Sequence, residues 1–116
     1  MTRVRVMYWK EIPVQVQAED PIEKVSRPLD DRFQEGVDAI AMFDGSSGTD
    51  GYLEAFEWGQ YSETGGSAKE AANATANAFN REFPKDFIKR IRELHRTSER
   101  DSRPGAADHW RDPSQE

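Results

Sequence analysis

No cysteine occurs among the 116 residues. That absence excludes disulfides, thiolate metal sites and a cysteine nucleophile together, and it suits a reducing compartment. Histidine is nearly as scarce, with His95 and His109 the only two. They form no H-x-x-x-H pair of the kind that holds zinc. No Gly-x-Ser-x-Gly elbow offers either of them a serine to activate. No apolar run follows the basic residue near the N-terminus, so no signal peptide is expected, and no stretch approaches the roughly 20 apolar residues that span a membrane. A cytoplasmic location is the expectation. Apolar residues are sparse as well, at 35% against 33% charged, which is lean for a globular chain. The net charge of −6 argues against a general attraction to phosphate backbones and leaves local basic patches open.

The apolar deficit is uneven. From Thr97 onward Ser, Arg, Asp, Pro and Gly dominate, and residues 97–116 are expected to form a disordered polar tail. Residues 1–96 then make one domain, long enough to bury a core.

That domain is organised around Val4 to Glu19. Val4-Arg5-Val6-Met7-Tyr8 and Val14-Gln15-Val16-Gln17-Ala18 alternate, and a Pro-containing connection joins them. β-branched and aromatic residues at period two, broken once, read as a β-hairpin. Val4, Val6 and Tyr8 share a face with Val14, Val16 and Ala18. Arg3, Arg5, Gln15 and Gln17, with Met7 and Trp9, fall on the other. Alternation therefore predicts a buried Tyr8 and a partly exposed Trp9.

Pro21 to Arg27 reads as a connector, and Pro28 suits the first turn of a helix. Leu29, Phe33, Val37, Ile40 and Ala41 form a helical stripe that Gly45 closes. Gly36 weakens this helix by about 1 kcal/mol relative to alanine, unless it admits close packing on the sheet. The loop Asp44 to Gly51 is Gly-rich but has no lysine for a phosphate cradle. Counted from Asp44 as a calcium loop, its twelfth position is Ala55 rather than an acidic ligand. Tyr52 to Tyr61 reads as a third strand, apolar on both faces. Ser67-Ala68-Lys69-Glu70 is a capping box opening an alanine-rich helix, which Pro84 should break. Phe87, Ile88, Ile91 and Leu94 give the second piece its apolar face. The order β-β-α-β-α-α predicts an α+β fold: a small three-stranded mixed sheet with helices packed on one face.

No catalytic constellation emerges. Glu54 and Glu57 would point to opposite faces of a strand, so they cannot serve one substrate. The chain is expected not to be an enzyme, with no cofactor and no metal. Two groups of residues remain as candidates for binding a partner. Trp9, Met7 and Trp58 would form an aromatic sheet face, because Trp and Tyr combine large apolar area with a polar handle. Large aromatics are more often core, which is the competing reading. Lys85, Lys89, Arg92 and Arg96 form a basic stripe that could meet an acidic partner. A solvated face of an amphipathic helix has the same spacing.

The run Arg5 to Val16, in the form R-x-x-Y-W-x-x-I-P-x-x-V, resembles the start of the bacterial "virulence factor" domain family. The resemblance covers roughly the first ninety residues, a span that fits one small domain, with its motif in the hairpin. In a staphylococcal relative a similar domain follows a NifU-type segment; this chain has none, and no iron–sulfur group is expected. The resemblance implies a small non-enzymatic interaction or accessory module whose partner is another protein. It also implies an alternative, an accessory subunit or small-molecule binder in a one-carbon or corrinoid methyltransferase system, because relatives are encoded beside such genes. A nucleic-acid-binding regulator is the third reading.

Overall fold

Alternation over Val4 to Glu19 produces the hairpin it predicts. In the computed structural model, which describes residues 1–114, β1 (Thr2–Trp9) pairs antiparallel with β2 (Ile12–Glu19). Lys10 turns the chain at the tip with a positive φ of 51°. The register slips by one residue between Met7 and Tyr8, so Val14 is an extra residue in β2 at a bulge.

The sheet has five strands, not three, and all its pairings are antiparallel, not mixed. The segment read as a connector contains β3 (Lys24–Pro28), an edge strand on β2. Pro28 ends it, where a missing N–H is harmless at an edge, and so does not open the helix. The run Tyr52 to Tyr61 is not one strand. It divides into α2 (Asp50–Glu54), β4 (Phe56–Trp58) and, beyond Tyr61, β5 (Ser62–Thr64). Strands β4 and β5 pair with opposite ends of β1. Between them the Gly59 amide donates to the Val6 carbonyl at 2.7 Å. A Cβ on Gly59 would come within 3.2 Å of that carbonyl and of the Tyr8 ring.

The expected helical stripe forms α1 (Asp31–Asp44), with Gly45 as its left-handed cap. Ser67 and Glu70 close the capping box of α3 (Ala68–Glu82), whose buried alanines lie against the sheet. The helix ends before Pro84, and α4 (Phe87–Arg96) resumes after it. Phe79, Phe83, Phe87 and Ile91 are all buried in the same core across that break. Arg32 of α1 donates to the carbonyls of Asn80, Phe83 and Pro84 at 2.9–3.2 Å, satisfying acceptors that the end of a helix leaves free.

Gly36 does admit a close neighbour, but from α4 rather than the sheet. A Cβ there would stand 2.5 Å from two ring carbons of Phe87. Gly36→Ala is therefore expected to destabilise the domain by about 1–3 kcal/mol through overpacking, despite alanine's better helix propensity. Urea denaturation of the variant checks this, and a gain in stability would contradict the packing.

Residues 97–114 are not a free tail. Ala107 is buried, Asp108–Trp110 forms a 3-10 turn, and the Trp110 ring lies 6.4 Å from that of Phe83. The Asp112 amide donates to the Glu82 carbonyl at 2.9 Å, and Arg111 bonds the Glu82 carboxylate. Composition predicted disorder because the segment has few apolar residues. It is held instead by ion pairs and by single well-placed side chains. The last two positions of that expectation, 115–116, lie outside the described residues.

Candidate functional site

The two faces of β1 have different fates. Val4, Val6 and Tyr8 face α3, and the odd-numbered residues face away from it. On that outer face Met7 is the cross-strand partner of Trp58, so two of the predicted partner-binding residues do meet, both half-buried. Arg5 supplies what the sequence reading did not single out. Its guanidinium lies 4.1 Å from the centre of the Trp58 ring and 4.6 Å from that of Tyr61. Its Nε and Nη2 donate to Oε1 of Gln17 at 3.0 and 2.6 Å. Arg3 stacks on the other side of the arrangement, 4.1 Å from the Tyr61 ring, and pairs with Glu19 at 3.0 Å. The result is a ladder of alternating cation and aromatic ring, fixed by hydrogen bonds from β2.

Trp9 does not belong to this open face. It shares the face by alternation, as the partner of Phe56 across the ladder, yet it is fully buried. Tyr52 of α2 covers it with ring centres 5.8 Å apart, and the indole Nε1 donates to the Tyr52 carbonyl at 2.8 Å. The expectation of a partly exposed Trp9 is overturned because α2 folds over that end of the hairpin, which no pattern within β1 reveals. Tyr8 is buried as expected.

The basic residues lie elsewhere. Arg92 and Arg96 of α4 both stand over the Phe43 ring, at 5.7 and 5.6 Å. Lys89 is exposed on the same helix, and Lys85 is exposed in the turn before it. Among the described residues, none of the four forms an ion pair, and no contact joins them to the outer sheet face.

Two further polar centres involve the segment that composition marked as disordered. At the hairpin tip, Arg100 makes a two-pronged pair with Glu11, at 2.7 and 2.8 Å, and reaches Asp44 at 3.0 Å. Lys10 donates to Asp44 and to Ser46, each at 2.8 Å. Burial opposes the ionisation of Asp44, but hydrogen bonds from Lys10, Ser46 and Arg100 outweigh it and hold the carboxyl at about 2, below the usual 3.8. A carboxyl lowered by folding contributes stability that is present above its unfolded value and lost as pH falls through its folded one. Asp44 should therefore defend the fold above about pH 4 and cease to do so near pH 2. Urea midpoints across this range should fall with pH in the wild type, and more shallowly in Asp44→Asn. Equal slopes would contradict the assignment.

The second centre is a cleft of about 280 Å³ on the opposite side of β1. Val4, Val6 and Tyr8 line it with Thr75 and Phe79 of α3, and Asp108 and Arg111 border it from the C-terminal segment. The Tyr8 hydroxyl donates to Oδ2 of Asp108. Burial raises the Asp108 carboxyl above its ordinary range, only partly offset by Tyr8 and Arg111. Burial and the Asp108 carboxylate raise Tyr8. The only hint of either centre in the sequence is Trp110, a large aromatic in an otherwise polar segment. Among the described residues no group of three His, Asp or Glu is placed to hold a metal ion.

The chain matches no curated protein and no solved structure. A family model described as "Virulence factor" matches residues 7–91. The match takes in Met7, Trp9, Trp58 and the break at Pro84, and it stops before Arg100, Asp108 and Arg111. With most of the sheet and three of the four helices inside the matched span, and with the hairpin motif at its start, the chain belongs to the virulence factor family.

Proposed function

We propose that the domain is a non-enzymatic interaction or accessory module that works in the cytoplasm and binds another protein through the outer face of its sheet. One observation carries this reading: the Arg5 guanidinium is held between Trp58 and Tyr61 on the face turned away from α3. Tyr, Trp and Arg dominate the energetics of protein interfaces, because they bury large areas while keeping polar groups to pair. Fixing them in advance reduces the entropy lost on association. The cations Lys85, Lys89, Arg92 and Arg96 on and beside α4, none of them ion-paired among the described residues, offer a separate contact to an acidic segment of the same partner, favoured by charge complementarity.

The test is recovery of a partner by tagged protein from the native cell, with a photo-crosslinker at Met7 to show which surface is engaged. Trp58→Ala should lower stability by no more than about 1–2 kcal/mol, because the ring is half-exposed, and should abolish both recovery and crosslinking. A Trp58→Ala protein that still recovers the same partner would refute the assignment of this face.

A further inference from the structure

The outer face of the sheet carries an order of charges that complements itself. Register sets the residues of that face in rows across the strands. One row reads Lys24 on β3, Glu19 on β2, Arg3 on β1 and Glu63 on β5, so its charges run plus, minus, plus, minus. A second row reads Pro28, Gln15, Met7 and Trp58. Within the chain only the middle of the charged row is paired, Arg3 with Glu19 at 3.0 Å. Lys24 and Glu63 stand exposed on strands at opposite edges of the sheet, and neither forms an ion pair among the described residues. Their backbones lie about 14 Å apart by the usual spacing of strands, and in one molecule the two charges do not meet.

We infer that a second copy of this chain covers this face, sheet on sheet, about a two-fold axis that runs along the strands between β1 and β2. An isologous contact of this kind needs a patch that complements itself. The rotation exchanges β2 with β1, and β3 with the edge formed by β4 and β5. Lys24 of each copy then stands over Glu63 of the other, and Glu19 over Arg3. In the second row Pro28 meets the Trp58 ring and Gln15 meets Met7. An axis across the strands would instead set each charge on its own counterpart or on the uncharged row. Aligned sheets pack about 10 Å apart and within about 30° of each other, a gap that lysine, arginine and glutamate side chains can bridge. The face is roughly 500 Å² in plan, small for a specific contact, so the dimer is a reversible one. It rests on the reading of the outer face as a recognition surface, and it fills that face while no other partner is bound.

Sedimentation equilibrium of the full chain at about 10–500 µM, a range suited to weak association, should give a mass rising towards twice 13.3 kDa. Lys24→Glu and Glu63→Lys change exposed residues that the fold itself does not pair. Each should weaken the dimer about tenfold or more, because symmetry replaces two opposite-charge contacts by two like-charge ones. An equimolar mixture of the two variants restores both contacts and should associate as tightly as the wild type. The doubly substituted chain should do the same. A wild-type chain that stays monomeric at about 500 µM, the top of that range, overturns the dimer. Partner recovery that Trp58→Ala abolishes would then still uphold the outer face, with a different protein as its occupant. A dimer that neither single change weakens also overturns the two-fold packing, since another surface, such as the free edge of β3, would be in use. So does a mixture that associates no more tightly than its components.

Discussion

Replacing Arg100 with methionine should destabilise the domain by about 3–5 kcal/mol, the usual consequence of removing one partner from a buried ion pair. The side chains of Arg100, Glu11 and Asp44 are only 7%, 3% and 4% exposed. Without the guanidinium, Glu11 is left as a buried carboxylate with no counter-ion among the described residues, and Asp44 keeps Lys10 and the Ser46 hydrogen bonds. Small domains have about 5–15 kcal/mol of stability in all, so a drop of this size should be evident in a thermal melt at neutral pH. Lysine at this position should recover little, since an ammonium cannot reproduce the two-pronged geometry on Glu11. Arg100→Met combined with Glu11→Leu should recover part of the loss, because the stranded charge is then gone. Truncation after Arg96 removes the same guanidinium together with Ala107 and Trp110, and should cost at least as much as Arg100→Met. An unchanged melting temperature after that truncation would mean that the C-terminal segment is not held as described.

Trp9→Ala should have the next largest effect, also about 3–5 kcal/mol, as expected for truncating a fully enclosed aromatic residue. The indole is 0% exposed, packs on Tyr52 and donates to its carbonyl, so the change opens a cavity and also leaves that carbonyl without its donor. Melts of Trp9→Ala, Tyr8→Ala and Trp58→Ala run side by side discriminate the faces. Trp9 should lose most and Trp58 least. A Trp58 loss equal to that of Trp9 would place both rings in the core and remove the outer face as a recognition surface.

Local pattern was sufficient wherever an element is long and its periodicity unbroken. The hairpin, the α1 stripe, the capping box at Ser67 and the break at Pro84 were all legible for that reason. Short elements were not. Strand β3 has a single half-buried apolar residue, Val25, and is defined by pairing with β2 rather than by any pattern of its own. The aromatic run from Tyr52 satisfies strand propensity, yet it divides into a short helix and two three-residue strands, which pair with opposite ends of the one edge of β1 that β2 leaves free. Alternation within β1 put Met7 on the outer face, where the structure pairs it with Trp58 of β4. It could not show that a side chain from α2 would cover Trp9. The C-terminal segment defeats composition for a different reason. Hydrophobicity measures how much a segment can bury, not whether one arginine will meet two carboxylates that the rest of the fold has already placed.

The Arg100 pair also has a temporal consequence. Glu11 and Arg100 are 89 residues apart in sequence, and Tyr8 and Asp108 are 100 apart. The hairpin by contrast closes a two-residue turn, and the logarithmic dependence of loop entropy on length makes the 89-residue closure dearer by about 3 kcal/mol in an unfolded chain. Once the four helices are in place, the same contact closes only the few residues after α4, and most of that penalty disappears. The segment therefore docks last. During synthesis the sheet and α1 leave the ribosome well before residue 100 does. A nascent domain must leave the Glu11 and Asp44 carboxylates open to water until Arg100 emerges to seal the hairpin tip.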